Sequence, residues 1–411
     1  MTNNATQETY LYTARLKRRI QELLHANGQM RFCDLVKQCE GAFPTDVLSA
    51  LKELGDSSLT GISWSTNSIR PCTEKAASGS LLELLPDPHP ADFDWRFHRD
   101  SRQLLTELLV SRTSETSKIL LLCAPTLLCE LRSKKRTAVL VDHNQATANA
   151  LSATGHLGTI VADIFSSDLP LSPDTFDVCV MDPPWYPEHY RSCLIHAAKA
   201  LRLNGALLMS LLPPLTRPTA IADRRAILQE ALQLGFDIVS LLPSHLVYDI
   251  PPFEEATLNA LEIHCTPWRR GDLLELRKTL AVSASRTSEM PTEAWQTFVF
   301  GRTQVKLRLR EGKLTGFSAY LIEGQKTLLS VSRRFPYRSQ IDVWNSHNVA
   351  YSLSNVEPLR IALVALEKKK PWKEALSDAS SGSALTPTQT EQLARVLTDI
   401  TEVPMTPTET G

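Results

Sequence analysis

Residues 177–186 read Asp-Val-Cys-Val-Met-Asp-Pro-Pro-Trp-Tyr, and they restrict the fold more than any other stretch of the chain. Val178, Cys179, Val180 and Met181 have the length and β-branched content of a strand buried in a parallel sheet. Asp182-Pro183-Pro184-Trp185 ends that strand. Neither proline donates a ladder hydrogen bond and both fix φ, so a stiff turn must follow at the strand's carboxyl end. In open α/β sheets, ligands bind there. The turn presents a carboxylate, carbonyls without competing N–H donors, and a flat ring. A planar group with an exocyclic amine suits that set. Asp182 and the Pro183 carbonyl accept from the amine while Trp185 stacks on the ring. A surface turn with a packing tryptophan is the other reading of the same residues.

Strand and helix patterns alternate around this motif at βαβ spacing. Apolar runs at 118–122, 137–141, 158–162, 177–181 and 206–212 predict five strands, and 100–109 and 189–203 predict helices. Runs at 237–242 and 257–264 predict an antiparallel pair that closes the sheet.

Asp182-Pro183-Pro184-Trp185 resembles the (Asp/Asn/Ser)-Pro-Pro-aromatic motif of class I S-adenosylmethionine-dependent methyltransferases that act on amino nitrogens, N6-adenine enzymes above all. The resemblance covers residues 98–268 and implies an α/β fold, a Rossmann-like seven-stranded core. It also implies S-adenosylmethionine as cofactor and roles for Asp182, Pro183, Pro184 and Trp185 in positioning the acceptor amine, with Tyr186 beside it. Asp142, closing the second strand, matches the acid that holds the cofactor ribose. Asp163, closing the third, matches the acid that binds the adenine amine, with Ile164 and Phe165 beside the ring. An Asp after a strand also serves as a helix cap or turn residue. The family's Gly-rich first loop is replaced by Cys123-Ala124-Pro125-Thr126. Here a proline and three β-carbons stand where glycine lets the backbone approach the cofactor.

The order of domains also resembles branched-chain polyamine synthases, which join a winged helix to this fold and carry Asp-Pro-Pro after the fourth strand. An aminopropyltransferase acting on a polyamine is therefore one alternative. Trp185, where those enzymes carry an acid, favours a base. A non-catalytic binding or regulatory protein with a closed cofactor loop is the other alternative.

The remaining chain divides by composition. Residues 1–75 carry three helical patterns and a Ser/Thr-rich hairpin near 57–70, the layout of a winged helix-turn-helix, which serves DNA reading or homodimerisation. Residues 76–97 read as a proline-broken linker, and 269–294 as a charged helix and linker. Residues 295–375 form a small accessory or substrate-recognition domain of α+β type. In it 305–310 and 328–331 predict strands, and Arg334, Arg338 and the amide- and aromatic-rich 342–348 suggest nucleic-acid contacts. Residues 376–411 read as a largely disordered tail with a helix at 388–400. A net charge of −1 gives no global attraction to nucleic acid, so such binding needs a local patch. Eight cysteines without C-x-x-C or clustered histidine argue against zinc and for a reduced, cytoplasmic protein. No apolar run is long enough to span a membrane.

Overall fold

The computed structural model describes residues 2–55, 62–63, 81–155, 158–281, 294–309 and 315–402. The chain divides into two compact units, each described separately below.

The first unit comprises residues 1–82, 95–250 and 264–290. It opens with helices α1 (Thr2–Asn27), α2 (Phe32–Gln38) and α3 (Pro44–Leu54). Leu16, Ile20, Leu35, Val47 and Leu51 supply their shared core. The Tyr12 hydroxyl donates to Asp46 Oδ2 at 2.6 Å and Lys17 pairs with Glu53 at 2.6 Å, so acids of α3 are spent on α1. Strand β1 (Met30–Arg31) pairs in parallel with β2 (Ile62–Ser63), and the remainder of the expected wing lies outside the described residues. These helices share a unit with the sheet. Gly41, at φ +86°, sits where a β-carbon would lie 2.8 Å from Thr216 Oγ1.

The sheet of this unit has, among the described residues, seven strands. They are β3 (Ile119–Leu122), β4 (Ala138–Asp142), β5 (Thr159–Val161), β6 (Phe176–Met181), β7 (Leu201–Leu211), β8 (Phe236–Val247) and β9 (Arg270–Lys278). Their order is β5-β4-β3-β6-β7-β9-β8, parallel except for β9, which is antiparallel to both neighbours. That is the Rossmann-like arrangement of the class I methyltransferase core. The direction of build-up reverses at β3, between β4 and β6, which places the ligand crevice at their carboxyl ends. Helices α4 (Arg99–Arg112), α5 (Pro125–Ser133), α6 (Gln145–Ala153), α7 (Pro187–Ala200) and α8 (Ala220–Gln233) complete the unit. Leu120, Leu122, Cys179, Met181, Leu194, Met209 and Leu274 belong to one buried cluster.

The last strand corrects two sequence expectations. Residues 269–294 are not a charged helix and linker at their start, because 270–278 are the strand between β7 and β8. Its charges are paired inside the fold. Arg224 reaches Asp272 at 2.7 Å, Arg112 grips Glu275 at 2.5 and 3.0 Å, and Lys278 donates to the Leu201 carbonyl and Asp174. The run at 257–264 is not its partner strand. It begins inside a helix, α9 (Pro252–Ala260), which Pro252 starts from a first-turn position where no amide donor is needed.

The second unit comprises residues 83–94, 251–263 and 291–411. Strands β10 (Trp295–Phe300), β11 (Thr303–Arg308), β12 (Ala319–Leu321), β13 (Val343–Asn345) and β14 (Ala350–Leu353) make an antiparallel sheet in the order β10-β11-β13-β14-β12. Helices α10 (Glu357–Glu367), α11 (Trp372–Gly382) and α12 (Pro387–Thr401) cover it. The expected disordered tail is therefore two packed helices as far as Thr401, with Leu393, Val396, Leu397 and Ile400 in the core. Ser/Thr-rich composition hid an apolar stripe at helical spacing. Nor is 83–94 a loose linker: Asp87 pairs with Arg302 at 2.7 Å, Asp92 with Lys306, and His89 is fully buried against Trp344. The stretch at 328–331 is irregular, although Leu328 and Val331 are buried.

Candidate active site

Strands β3, β4 and β6 stop together, and the main chain carries their ladder one residue further. Cys123 N–H donates to the Val141 carbonyl at 3.0 Å, and Asp182 N–H to the Leu122 carbonyl at 3.0 Å. This register puts Cys123, Asp142 and Asp182 side by side at the crevice. Burial, the Cys193 thiol and the two carboxylates act together on Cys123, the hydrogen bond to Cys193 most of all, and hold its thiol protonated. Cys123 itself adopts φ +57°, the left-handed conformation usually left to glycine, and Pro125 opens α5 two residues later. The tight turn of a Gly-rich loop is thus made without glycine.

Asp142 is half-buried, and its Oδ1 accepts from Asn144 N–H at 2.9 Å. Asp163 is exposed and accepts from Phe165 N–H at 3.0 Å, which presents Phe165 beside it. Ile164 departs from expectation. Its side chain is 7% exposed and packs into the sheet core, while its carbonyl meets His196 Nε2 at 3.0 Å. Phe165, edge-on to His189 at 4.8 Å, is the ring left at that position.

After β6 the Pro183-Pro184 turn closes with Tyr186 N–H on the Pro184 carbonyl at 2.6 Å, and Pro187 starts α7. The two ends of the motif are joined by residues from the neighbouring strands. Trp185 Nε1 lies 3.4 Å from Ser210 Oγ, Ser210 Oγ lies 2.5 Å from the Tyr248 hydroxyl, and that hydroxyl donates to Asp182 Oδ1 at 2.7 Å. An indole N–H only donates, so the chain has one direction: Trp185 to Ser210 to Tyr248 to the carboxylate. Each donor polarises the next. Burial first, then the Asp182 charge, pushes the Tyr248 phenol well above its ordinary range, so it stays a donor.

Trp185 is partly buried, with Tyr248 edge-on at 5.5 Å and the Arg269 guanidinium over its ring at 5.4 Å. Arg269 also lies over Trp95 at 4.4 Å and Trp268 at 4.9 Å. Tyr186 carries Arg217 over its ring at 5.1 Å, and Arg217 pairs with Asp223 at 2.8 Å. Trp185 is thus anchored at its nitrogen and partly covered, not the open platform expected. Gly271 on β9 makes room for this packing. A β-carbon there would meet Tyr248, Trp185 and Ser210 at 3.1 to 3.3 Å.

The basic and amide-rich run of the second unit is used internally. Arg338 is 8% exposed, stacked over Phe93 at 4.7 Å and Trp344 at 5.1 Å, which corrects its assignment to substrate. Trp344, Asn345 and Asn348 are fully buried or nearly so, and Asn348 bonds Thr257 and the Leu328 carbonyl. Arg334 is exposed. Lys306 pairs with Asp92, and Arg308 lies over Trp295 at 4.7 Å.

No protein-family model matches the chain, and no curated protein matches it. Among solved structures it is similar to the branched-chain polyamine synthase C9 mutein from Thermus thermophilus, in complex with N4-aminopropylspermidine and 5′-methylthioadenosine. The identity is 15% and the TM-score 0.52, over 71% of this chain and 97% of that one. The branched-chain polyamine synthase from the same organism gives 14% and 0.49, over 68% and 97%. A TehB-like S-adenosylmethionine-dependent methyltransferase from Corynebacterium glutamicum gives 13% and 0.31, over 43% and 86%. At these identities the likeness is one of fold alone, and the strand order of the first unit is that of a Rossmann-like, seven-stranded methyltransferase core. Among the described residues, no helix is long and apolar enough to cross a membrane.

Proposed function

We propose that the chain is an S-adenosylmethionine-dependent methyltransferase acting on an amino nitrogen of a planar group, with N6 of adenine in nucleic acid as the acceptor. The observation that carries this reading is the hydrogen-bond chain that ends on Asp182 and ties it to Trp185 of the same motif.

The residues at the crevice fit the cofactor. Asp142 suits ribose hydroxyls, Asp163 and Phe165 suit an adenine edge and face, and the left-handed Cys123 makes the turn that brings main chain close. When bound, S-adenosylmethionine supplies a methyl group made electrophilic by its sulfonium. Asp182 and the Pro183 carbonyl accept the two N–H bonds of the amine, which leaves the nitrogen lone pair to point at that methyl. An amine nitrogen that received the methyl, with the sulfonium leaving as a neutral thioether, would become positive and its proton acidic. Asp182 stands where that proton leaves. A carboxylate has about four acceptor sites, and Tyr248 occupies one of them. Orientation of the amine supplies most of the acceleration. A base within a duplex must be flipped out to reach the turn.

Titration calorimetry with S-adenosylmethionine and S-adenosylhomocysteine tests the cofactor. Transfer of labelled methyl to adenine-containing DNA, RNA and nucleosides, with spermidine alongside, tests the acceptor. Binding with transfer to adenine is expected. Transfer to spermidine alone replaces the planar acceptor by an aliphatic amine, and no binding of either cofactor form leaves a non-catalytic protein.

A further inference from the structure

Two thiols of the first unit, far apart in sequence, meet outside the crevice. Cys33 stands in the first turn of α2, and Cys265 in the segment that leads into β9. The Cys33 thiol donates to the His264 carbonyl at 3.0 Å, which sets its sulfur against the residue before Cys265. The two thiols are hydrogen-bonded to each other. Cys33 is partly exposed and Cys265 only 1% exposed, so a reagent in solution reaches the first sulfur and not the second.

Their surroundings give the two sulfurs different characters. The hydrogen bond from Cys265 above all, with the Lys37 and Arg31 charges, lowers the Cys33 pKa against the effects of burial and Asp34. Asp34 is itself held by Arg31 at 2.6 Å. The same hydrogen bond first, then burial, raises Cys265. Burial also raises Cys39, Cys129 and Cys179, and the bond to Cys193 raises Cys123. The thiolate is the nucleophile in disulfide exchange, and a reactive thiol combines thiolate character with exposure.

We propose that Cys33 and Cys265 form a reversible disulfide on reaction with a small disulfide such as oxidised glutathione, Cys33 as the attacking sulfur and Cys265 as the resolving one. The Cys33 thiolate attacks one sulfur of the oxidant. The oxidant's S–S bond breaks, and the thiolate that leaves takes up the proton Cys33 had released. Cys33 is now part of a mixed disulfide and carries no charge, so the first cause of the raised Cys265 pKa is gone. Cys265 loses its proton and attacks the Cys33 sulfur, and the second small thiolate leaves and takes that proton. Two protein thiols are oxidised, and one small disulfide is reduced to two thiols.

The bond ties α2 to a segment that reaches the Asp-Pro-Pro-Trp turn. Trp268, three residues past Cys265, lies edge-on to Phe43 at 5.3 Å, and Arg269 lies over Trp185 at 5.4 Å. A cross-link that closes a long loop restricts the unfolded chain, so the oxidised protein is the more stable form. None of this depends on the acceptor or on methyl transfer.

The test treats the reduced full chain with oxidised glutathione at neutral pH, followed by alkylation, digestion and mass spectrometry. A linked peptide containing Cys33 and Cys265 is expected, together with an unfolding temperature raised by about 5 °C or more. Cys33→Ser should show neither. Cys265→Ser should hold one glutathione on Cys33, because nothing resolves the mixed disulfide. Glutathione that stays on Cys33 in wild type, a link from Cys33 to any other cysteine, or no reaction at Cys33 overturns the proposal. So does a link that leaves the unfolding temperature unchanged or lowers it. Should Cys265→Ser fail to fold, limiting iodoacetamide on reduced wild type supplies the second measurement. Cys33 should be alkylated first, and alkylation of another folded-state thiol ahead of it contradicts its role as the attacking sulfur.

Discussion

The Tyr248 hydroxyl, on a side chain 1% exposed just past β8, donates to Asp182 Oδ1 at 2.7 Å from the turn after β6. Ser210 on β7 links the same hydroxyl to Trp185. Asp182, the acid proposed to orient the acceptor amine, is therefore held by three strands of the sheet, and its orientation does not depend on the stiffness of a Pro-Pro turn alone.

Removing the hydroxyl should separate orientation from binding. Tyr248→Phe deletes a hydrogen bond to a charged group, worth about 1.5–3 kcal/mol. Methyl transfer should slow by roughly ten- to a hundredfold, mainly in kcat. Affinity for S-adenosylmethionine should hardly move. Steady-state rates beside cofactor titrations check this; an unchanged kcat removes Tyr248 from the site.

Gly271→Ala asks whether the chain tolerates displacement. The added β-carbon would press on Tyr248, Trp185 and Ser210 together, at 3.1 to 3.3 Å, so no single neighbour can move aside without disturbing the others. Overpacking typically costs about 1–3 kcal/mol. Both the unfolding temperature and kcat should fall. A variant as stable and active as wild type contradicts the tight packing.

Asp142→Ala should weaken S-adenosylmethionine binding by about 1.5–3 kcal/mol through lost hydrogen bonds to a charged acceptor. The fold should survive, since Asn144 retains its own cap on Thr147 N–H at 3.0 Å. Calorimetry on the folded variant decides, and unchanged affinity moves the ribose elsewhere.

His89 makes stability depend on pH. Its Nε2–H donates to the Trp344 carbonyl at 2.9 Å while Nδ1 accepts from Ala91 N–H at 3.1 Å, a neutral ring with no room for a second proton. Burial, then the Lys306 charge, lowers its pKa from 6.5 to about 3. Between these values the unfolded chain binds a proton that the native chain refuses. Stability present above pH 6.5 is therefore lost as pH falls toward 3, by about 1.4 kcal/mol per unit. Denaturant unfolding from pH 8 to 4 should show a shallower decline for His89→Gln than for wild type. Parallel declines would mean the histidine is not buried neutral.

Much of the first unit could be read from residues 118–181, because buried parallel strands announce themselves as short apolar runs and Pro-Pro punctuates one of them. The strand β9 could not. Asp272, Glu275 and Lys278 look like a solvated helix until Arg224, Arg112 and the Leu201 carbonyl, all distant in sequence, neutralise them. Tyr248 and Ser210 were equally silent, since a lone tyrosine or serine gains its role only through contacts 66 and 38 residues away. The basic run at 333–348 misled for the opposite reason: Arg338 and Trp344 attract each other and bury. Composition reports which side chains are present and is blind to which of them pair.

The most direct measurement is labelled-methyl transfer from S-adenosylmethionine to an adenine-containing acceptor by wild type and Asp182→Ala side by side, with cofactor affinity measured on both. The account predicts label on N6 with wild type, loss of kcat by a hundredfold or more on the order of a lost orienting group, and equal cofactor affinity. Cofactor binding by wild type without transfer to any adenine acceptor, or transfer that persists in Asp182→Ala, would contradict it.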